Sequence, residues 1–167
     1  MIPGPAIEAI ASEDEEAILA LNNAHAQELS LLSPARLAHL RAQAFYARRV
    51  GAASAFLIAF DEQADYDSWN FGWFCARFPR FAYVDRVAVA LHARGRGLAR
   101  ALYRDLYEAA LAAGHERIVC EVNLDPPNPG SDAFHAREGF QEIGQALNPD
   151  SGRTVRFLLR ILTVGEL

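Results

Sequence analysis

Lysine is absent from all 167 residues. A P-loop ends in Gly-Lys-Ser/Thr, so that phosphate site is excluded. Cysteine is scarce. Cys75 and Cys120 make neither a disulfide framework nor a metal-ligand cluster, which points to two free thiols, a reducing cytoplasmic setting and no metal. No stretch approaches the ~20 apolar residues of a membrane helix, so no membrane partner is expected. The first seventeen residues lack a basic region followed by a long apolar run, so no signal peptide is expected. Basic tracts are missing too, and the net charge is −5. That balance argues against nucleic acid as the main partner, while leaving room for a local basic pocket for a small anion.

The chain is otherwise rich in material for a core. Apolar residues make up 51% and charged residues 22%, which suits one globular domain over residues 1–167. No internal repeat or low-complexity tract interrupts it. Residues 5–11 alternate and read as an opening strand. Ser12 with Glu15 three residues on reads as a capping box for a helix with Ile18, Leu21 and Ala24 on its apolar face. Ser33-Pro34 starts a second helix, lined by Leu37 and Leu40. Residues 45–50 and 55–62 flank Gly51 as a hairpin. Residues 62–79 hold Trp69, Phe71, Trp73 and Phe74 without a clean period and read as an ordered insertion with room for a short helix.

Residues 81–91 form the next strand. Leu98, Leu102, Leu106, Ala109 and Ala113 then recur at helical spacing until Gly114. Residues 117–123 are a strand, 125–132 a loop running into a short helix, and 140–147 with 153–162 a closing hairpin. The order βααβββαβαββ predicts an α/β (α+β mixed) fold: a mixed central sheet of about seven strands with helices on both faces. The strand–helix–strand unit in its middle implies a parallel pair.

The seam between the strand at 81–91 and the following helix carries Arg94, Gly95, Arg96 and Gly97. A helix N-terminus presents unpaired N–H groups and a partial positive charge. Glycine lets a ligand approach that backbone closely, which makes a phosphate cradle. A dinucleotide fold would need Gly-x-Gly-x-x-Gly near the first strand, but Arg100 occupies the third position and the unit lies mid-chain. The pattern Arg-x-x-Gly-x-Gly/Ala is met at every fixed position by Arg94-Gly95-Arg96-Gly97-Leu98-Ala99. A plain tight turn is the bland alternative for the glycines, and a solvated helix face for the arginines.

That pattern, with "VAV" before it, "CEVN" after it and "NPGSDAFHAREGF" at 128–140, resembles the GNAT acyl-CoA N-acyltransferases. The resemblance is specific over about residues 81–140 and topological elsewhere. It implies an acetyl-CoA-dependent N-acetyltransferase. The N–H groups of Arg94, Gly95, Arg96, Gly97, Leu98 and Ala99 would hold the CoA pyrophosphate. The strand at Val87, Ala88 and Val89 would splay from its parallel neighbour and pair with pantetheine. Asn128 and Ser131 would sit beside the pantetheine or thiol.

Acetyl transfer needs a neutral amine, stabilisation of an oxyanion and a proton for the departing thiolate. An amine of pKa ~10.4 is mostly charged at neutral pH, so some group must take its proton. By resemblance that base is Glu121 in "CEVN" or Asp85 on the preceding strand. Asp85 shares a strand side with Val87 and Val89 by alternation, with Arg86 opposite. A structural ion pair is the alternative for each carboxylate. The family's usual acid is a tyrosine five residues before the Phe of its Gly-Phe pair; here that position holds His135. Histidine can donate a proton; a nearby Tyr83, a water or unassisted departure of the thiolate are the other routes, and packing against the CoA thiol explains His135 equally well.

The acceptor would approach past residues 22–34 and 62–79. Trp69, Phe71 and Trp73 are candidates for an apolar wall of its pocket, or else a second small core or a homodimer contact. Asp61, Glu62, Asp65 and Asp67 would favour a cationic amine, or are simply solvated. Two further readings stay open: a non-catalytic acyl-CoA-binding sensor or partner module, and a nucleotide- or NAD-binding enzyme, which the missing lysine and the glycine spacing disfavour.

Overall fold

The computed structural model describes residues 3–167. Its centre is a seven-stranded mixed sheet in the order β1-β2-β3-β4-β5-β7-β6. The strands are β1 (Ile7–Ala9), β2 (Tyr46–Val50), β3 (Ala55–Asp61), β4 (Ala82–Val89), β5 (Arg117–Asn123), β6 (Gln141–Leu147) and β7 (Thr154–Ile161). The helices are α1 (Glu15–Ala24), α2 (Pro34–Gln43), α3 (Trp69–Cys75), α4 (Leu98–Ala112) and α5 (Pro129–Arg137). The expected order holds, with α3 added inside the insertion. Among the described residues no helix is long and apolar enough to cross a membrane.

The capping box expected at Ser12 and Glu15 does not form. The Asp14 carboxylate instead accepts the Ala11 N–H at 2.8 Å, ending a single 3-10 turn that leads into α1. Ser33 caps α2 by accepting the Arg36 N–H at 3.1 Å. The strand expected over 81–91 stops at Val89, because residues 91–93 wind into a 3-10 turn.

Two cores cover the two faces of the sheet. On one, α4 buries Leu98, Leu102, Tyr103, Leu106, Tyr107 and Ala110, and Phe134 of α5 packs alongside. The α4 face is therefore rotated from the expected leucine–alanine stripe: both tyrosines lie inside and Ala113 lies outside. On the other, α1, α2 and α3 contribute Ile18, Leu21, Leu37, Leu40, Phe71 and Phe74.

Strands β4 and β5 are parallel, with α4 as the crossover. They pair only at Ala82↔Ile118 and Tyr83↔Val119. Beyond those residues β4 continues against β3 to Val89, and β5 continues against β7 to Asn123. The two facing edges thus diverge, and a wedge opens in the middle of the sheet.

A bulge in β4 sits at this divergence. Val84 faces Ala59 and Arg86 faces Ile58, leaving Asp85 as the extra residue. A bulge breaks the two-residue side-chain alternation. Asp85 and Arg86 accordingly fall on the same α1/α2/α3 side, while Val87 and Val89 pack on the α4 side. This corrects the alternation expected for residues 85–89.

Candidate active site

The wedge opens into a cleft of about 1050 Å³. Its upper end is the turn between β4 and α4. Gly95 and Gly97 hold φ of 76° and 73°, left-handed values that favour glycine. A Cβ at either would meet no protein atom within 4 Å, so the glycines serve the backbone path and leave the space above it open. The Arg94 N–H, expected in the cradle, is instead turned to the Leu91 carbonyl at 3.4 Å, whereas among the described residues the N–H groups of residues 95–100 make no bond to a backbone carbonyl, and no side chain caps α4. These unpaired donors at a helix N-terminus suit a diphosphate. Arg94 faces the cleft and reaches His25 Nε2 at 3.1 Å. Arg96 is exposed and its side chain lies outside the lining.

The cleft then runs down the divergent edges. Val87, Ala88 and Val89 line it from β4, Leu98 and Ala99 from α4, and Asn128, Ser131 and His135 from α5. Their free backbone edge on β4 can accept an extended ligand as an added strand. Asn128 N-caps α5, accepting the Ser131 N–H at 3.2 Å.

His135 is buried. Its Nδ1 lies 2.8 Å from the Ser131 carbonyl, which fixes a proton there. Nε2 is then the acceptor for the Tyr103 hydroxyl at 2.7 Å. Burial pulls the ring's pKa below its usual value, so it stays neutral. Both nitrogens are occupied, Nδ1 within α5 and Nε2 across to Tyr103 of α4, which leaves His135 no free proton to deliver.

The carboxylates lie on the opposite side of the wedge. Asp85 accepts from the Tyr66 hydroxyl at 2.5 Å and from Arg86 Nε at 2.7 Å. Its partner Arg86 also donates to Asn22 Oδ1 at 3.0 Å. Both Asp85 oxygens are thereby committed, Oδ1 to the Tyr66 hydroxyl and Oδ2 to a buried ion pair with Arg86. Glu121 differs. Its Oε1 accepts from the Tyr83 hydroxyl at 2.8 Å and from Asn70 Nδ2 at 3.0 Å, while Oε2 is buried with no partner. Burial raises its pKa to about 7, against the lowering effect of the Tyr83 hydrogen bond. A carboxylate so placed can hold or release a proton at neutral pH. Burial also pushes the Tyr83 phenol and the Cys120 thiol well up, so both stay protonated.

Trp69, Phe71 and Trp73 do not line this cleft. Phe71 is buried among the rings of Phe60, Tyr83 and Phe81. Trp73 stacks on Phe157 with centroids 3.8 Å apart, and Trp69 leans on the same ring at 6.3 Å. They form a second core that seats α3 on the sheet. The acids of the insertion also lie outside the cleft. Asp67 pairs with Arg36 at 2.7 Å, Glu62 accepts the Phe81 N–H at 3.2 Å and Asp61 the Gln63 N–H at 2.9 Å. From the expected acceptor side, only His25, Glu28 and Leu29 of the α1–α2 connection reach the lining.

Sequence reasoning missed Tyr103, Tyr66 and Asn70. Asn70 carried a usable signal: it is a lone amide between Trp69 and Phe71, in a segment otherwise spent on packing. Among the described residues no cluster of three or more His, Cys, Asp or Glu could hold a metal ion.

The fold has counterparts among known proteins. A sequence model of the acetyltransferase (GNAT) family matches residues 50–140, more than half of the chain. No curated protein matches the sequence. The ribosomal-protein-S18-alanine N-acetyltransferase from Escherichia coli superposes with a TM-score of 0.69 at 18% identity, over 98% of this chain and 99% of that one. Ard1 from Thermoplasma volcanium gives 0.73 at 17%, over 95% and 97%. NAA60 from Arabidopsis thaliana, solved with acetyl-CoA, gives 0.72 at 11%, over 95% and 99%.

Proposed function

The chain belongs to the acetyltransferase (GNAT) family, and from that premise we propose that it moves an acetyl group from acetyl-CoA to a primary amine by direct attack within a ternary complex. The observation that carries this reading is the single continuous cleft, which joins the unpaired N–H groups of residues 95–100 to Glu121, whose buried Oε2 has no hydrogen-bond partner among the described residues. Acetyl-CoA supplies the activated acyl group. Its diphosphate rests on the turn at 94–99 beside Arg94, and its pantetheine runs along Val87–Val89 toward Asn128 and Ser131. The structures of NAA60 with acetyl-CoA and of the NatC complex with CoA and a peptide support a CoA coenzyme by analogy of fold.

Glu121 Oε2 takes a proton from the amine as the nitrogen bonds to the acetyl carbon and the carbon–sulfur bond breaks. The N–H groups that β4 leaves free near Val87–Val89 face the developing oxyanion, while the Ala90 N–H is held by the Ser54 carbonyl at 2.8 Å. The thiolate takes its proton from solvent in the open cleft, since His135 is neutral and tied at both nitrogens. Asp85 serves as the counter-ion that keeps Arg86 buried, rather than as the base. The acceptor enters beside His25, Glu28 and Leu29. We read the chain as one domain acting in a reducing compartment, in keeping with free Cys75 and Cys120.

The test is thiol release from acetyl-CoA across a panel of primary amines: amino acids, polyamines and peptides with free N-termini. Glu121→Gln should lower kcat by about 100- to 10,000-fold while coenzyme binding persists. Full activity in that variant would remove Glu121 as the base. Coenzyme binding without amine-dependent release in the wild type would make the chain a binding module instead.

A further inference from the structure

We propose that Asn70 and Asn148 form a positioning relay, running from the β6–β7 turn to Glu121, that aims the unpartnered Oε2 of this carboxylate at the acceptor amine. The proposal rests on the reading of Glu121 as the base. Its physical content is that two amides, joined in one direction, keep Oε1 occupied and leave Oε2 to react.

The relay begins at the turn. Asn148 is buried, and its Oδ1 accepts the N–H groups of Asp150 at 2.8 Å and Ser151 at 3.2 Å. Those two donors can only donate, so the Asn148 oxygen must face the turn and its NH₂ must face away. Asn148 Nδ2 then donates to Asn70 Oδ1 at 3.0 Å. With its oxygen engaged, Asn70 must present Nδ2 to Glu121, and it donates to Oε1 at 3.0 Å. The Tyr83 hydroxyl fills the other acceptor direction of Oε1. Each amide orientation thus follows from the one before, back to a pair of backbone N–H groups that cannot invert.

Both ends of the relay are held rigidly. Asn70 sits in α3, whose cap is Ser68 and whose aromatic residues lock it against Phe157. The turn is closed by Asn148 N–H on the Arg153 carbonyl at 2.8 Å and tethered to the α1–α2 connection by Arg153 Nη1 on the Gln27 carbonyl at 3.0 Å. The aromatic insertion thereby serves the site indirectly, by delivering one amide to it. If Asn148 is lost, Asn70 is free to turn its oxygen toward Oε1, where two acceptors would repel.

Other charged and titratable groups near Glu121 are Tyr83, Asp85 and Arg86 of β4, Tyr66 of the β3–α3 connection, Cys120 of its own strand and Tyr103 of α4. Across β7 its register partner is Phe157, which carries no charge. All of them are retained in the variants below, so a change in titration reports the amides.

The experiment follows the Glu121 side-chain carboxyl by carbon-13 NMR across pH 5–9 (a readout that needs no turnover), together with the pH dependence of kcat/KM. Asn70→Ala removes the last donor. Asn148→Ser keeps a turn-capping oxygen but is too short to reach Asn70. Asn70→Ala should move the Glu121 midpoint upward by about one pH unit, since a donor to the charged form is lost, and Asn148→Ser should move it in the same direction by less, since the Asn70 amide stays in place but is no longer held in its donating orientation. Near pH 7 the Asn70→Ala shift lowers kcat/KM about fivefold, with recovery at pH 9 and an unchanged KM for acetyl-CoA. A midpoint within about 0.2 pH unit of wild type in both variants overturns the relay. If Glu121→Gln keeps the wild-type rate, the base reading fails, yet the two midpoints still decide whether the amides set this carboxylate.

Discussion

Glu121→Gln removes a titrating group and leaves a side chain of the same size whose oxygen can still accept from Tyr83 and Asn70. In the folded protein the carboxyl is raised from 4.5 to about 7, chiefly by burial. Below pH 4.5 it is protonated folded or unfolded and costs nothing. Between pH 4.5 and 7 the folded state retains a proton that the unfolded state has released. Stability therefore falls as pH rises, by about 1.4 kcal/mol per pH unit, and levels off above pH 7 at a cost of about 3 kcal/mol. The glutamine variant lacks this dependence. Urea unfolding at half-unit steps from pH 5 to 8.5 should show its stability gaining on the wild type across the acidic range, with the gap constant beyond pH 8. The same ionisation should govern rate, with kcat/KM rising about tenfold from pH 5 to 6 and flattening above 7. A stability gap independent of pH would refute the placement of Glu121 in a desolvated wall.

Three further outcomes follow from the same geometry. Gly97→Ala forces a Cβ onto a residue at φ 73° and should cost about 1–2 kcal/mol by urea unfolding, while weakening CoA in calorimetry because the methyl enters the open space above the turn. Arg94→Ala should weaken CoA by about tenfold, whereas Arg96→Ala, whose side chain lies outside the cleft, should stay within about twofold; equal losses would contradict the lining. His135→Phe leaves the Tyr103 hydroxyl buried without its acceptor and should cost about 1–3 kcal/mol at pH 8. Because burial holds the His135 pKa below its ordinary value, wild-type stability falls as pH drops below 6.5 toward the folded pKa, so the gap to this variant should narrow between pH 8 and 5.5.

Much of the frame was legible in the chain. The strand at 117–123 matches to the residue, because its apolar run is bounded by Gly114 and Pro126. The glycine turn before α4 was legible because two glycines interrupt a change from period two to period 3.6. The bulge at Asp85 was not, since "VDRVAV" alternates plausibly on its own and only the register against β3 exposes the extra residue. That one insertion puts Asp85 and Arg86 on the same side of the sheet, where they pair. The roles of Trp69, Phe71 and Trp73 were illegible for a related reason. A two-turn helix shows no reliable period, and aromatic residues suit a pocket wall as well as a core. Asn70 and Asn148 are 78 residues apart, so no local pattern could join them.

The most direct measurement is an amide proton–nitrogen NMR titration of the wild-type protein with CoA, run in parallel with NAD and ATP. CoA should shift the resonances of residues 95–100 and Val87–Val89 in a saturable manner, and neither nucleotide should match it. Saturable CoA binding that leaves the amides of 95–100 unmoved would contradict the account at its root.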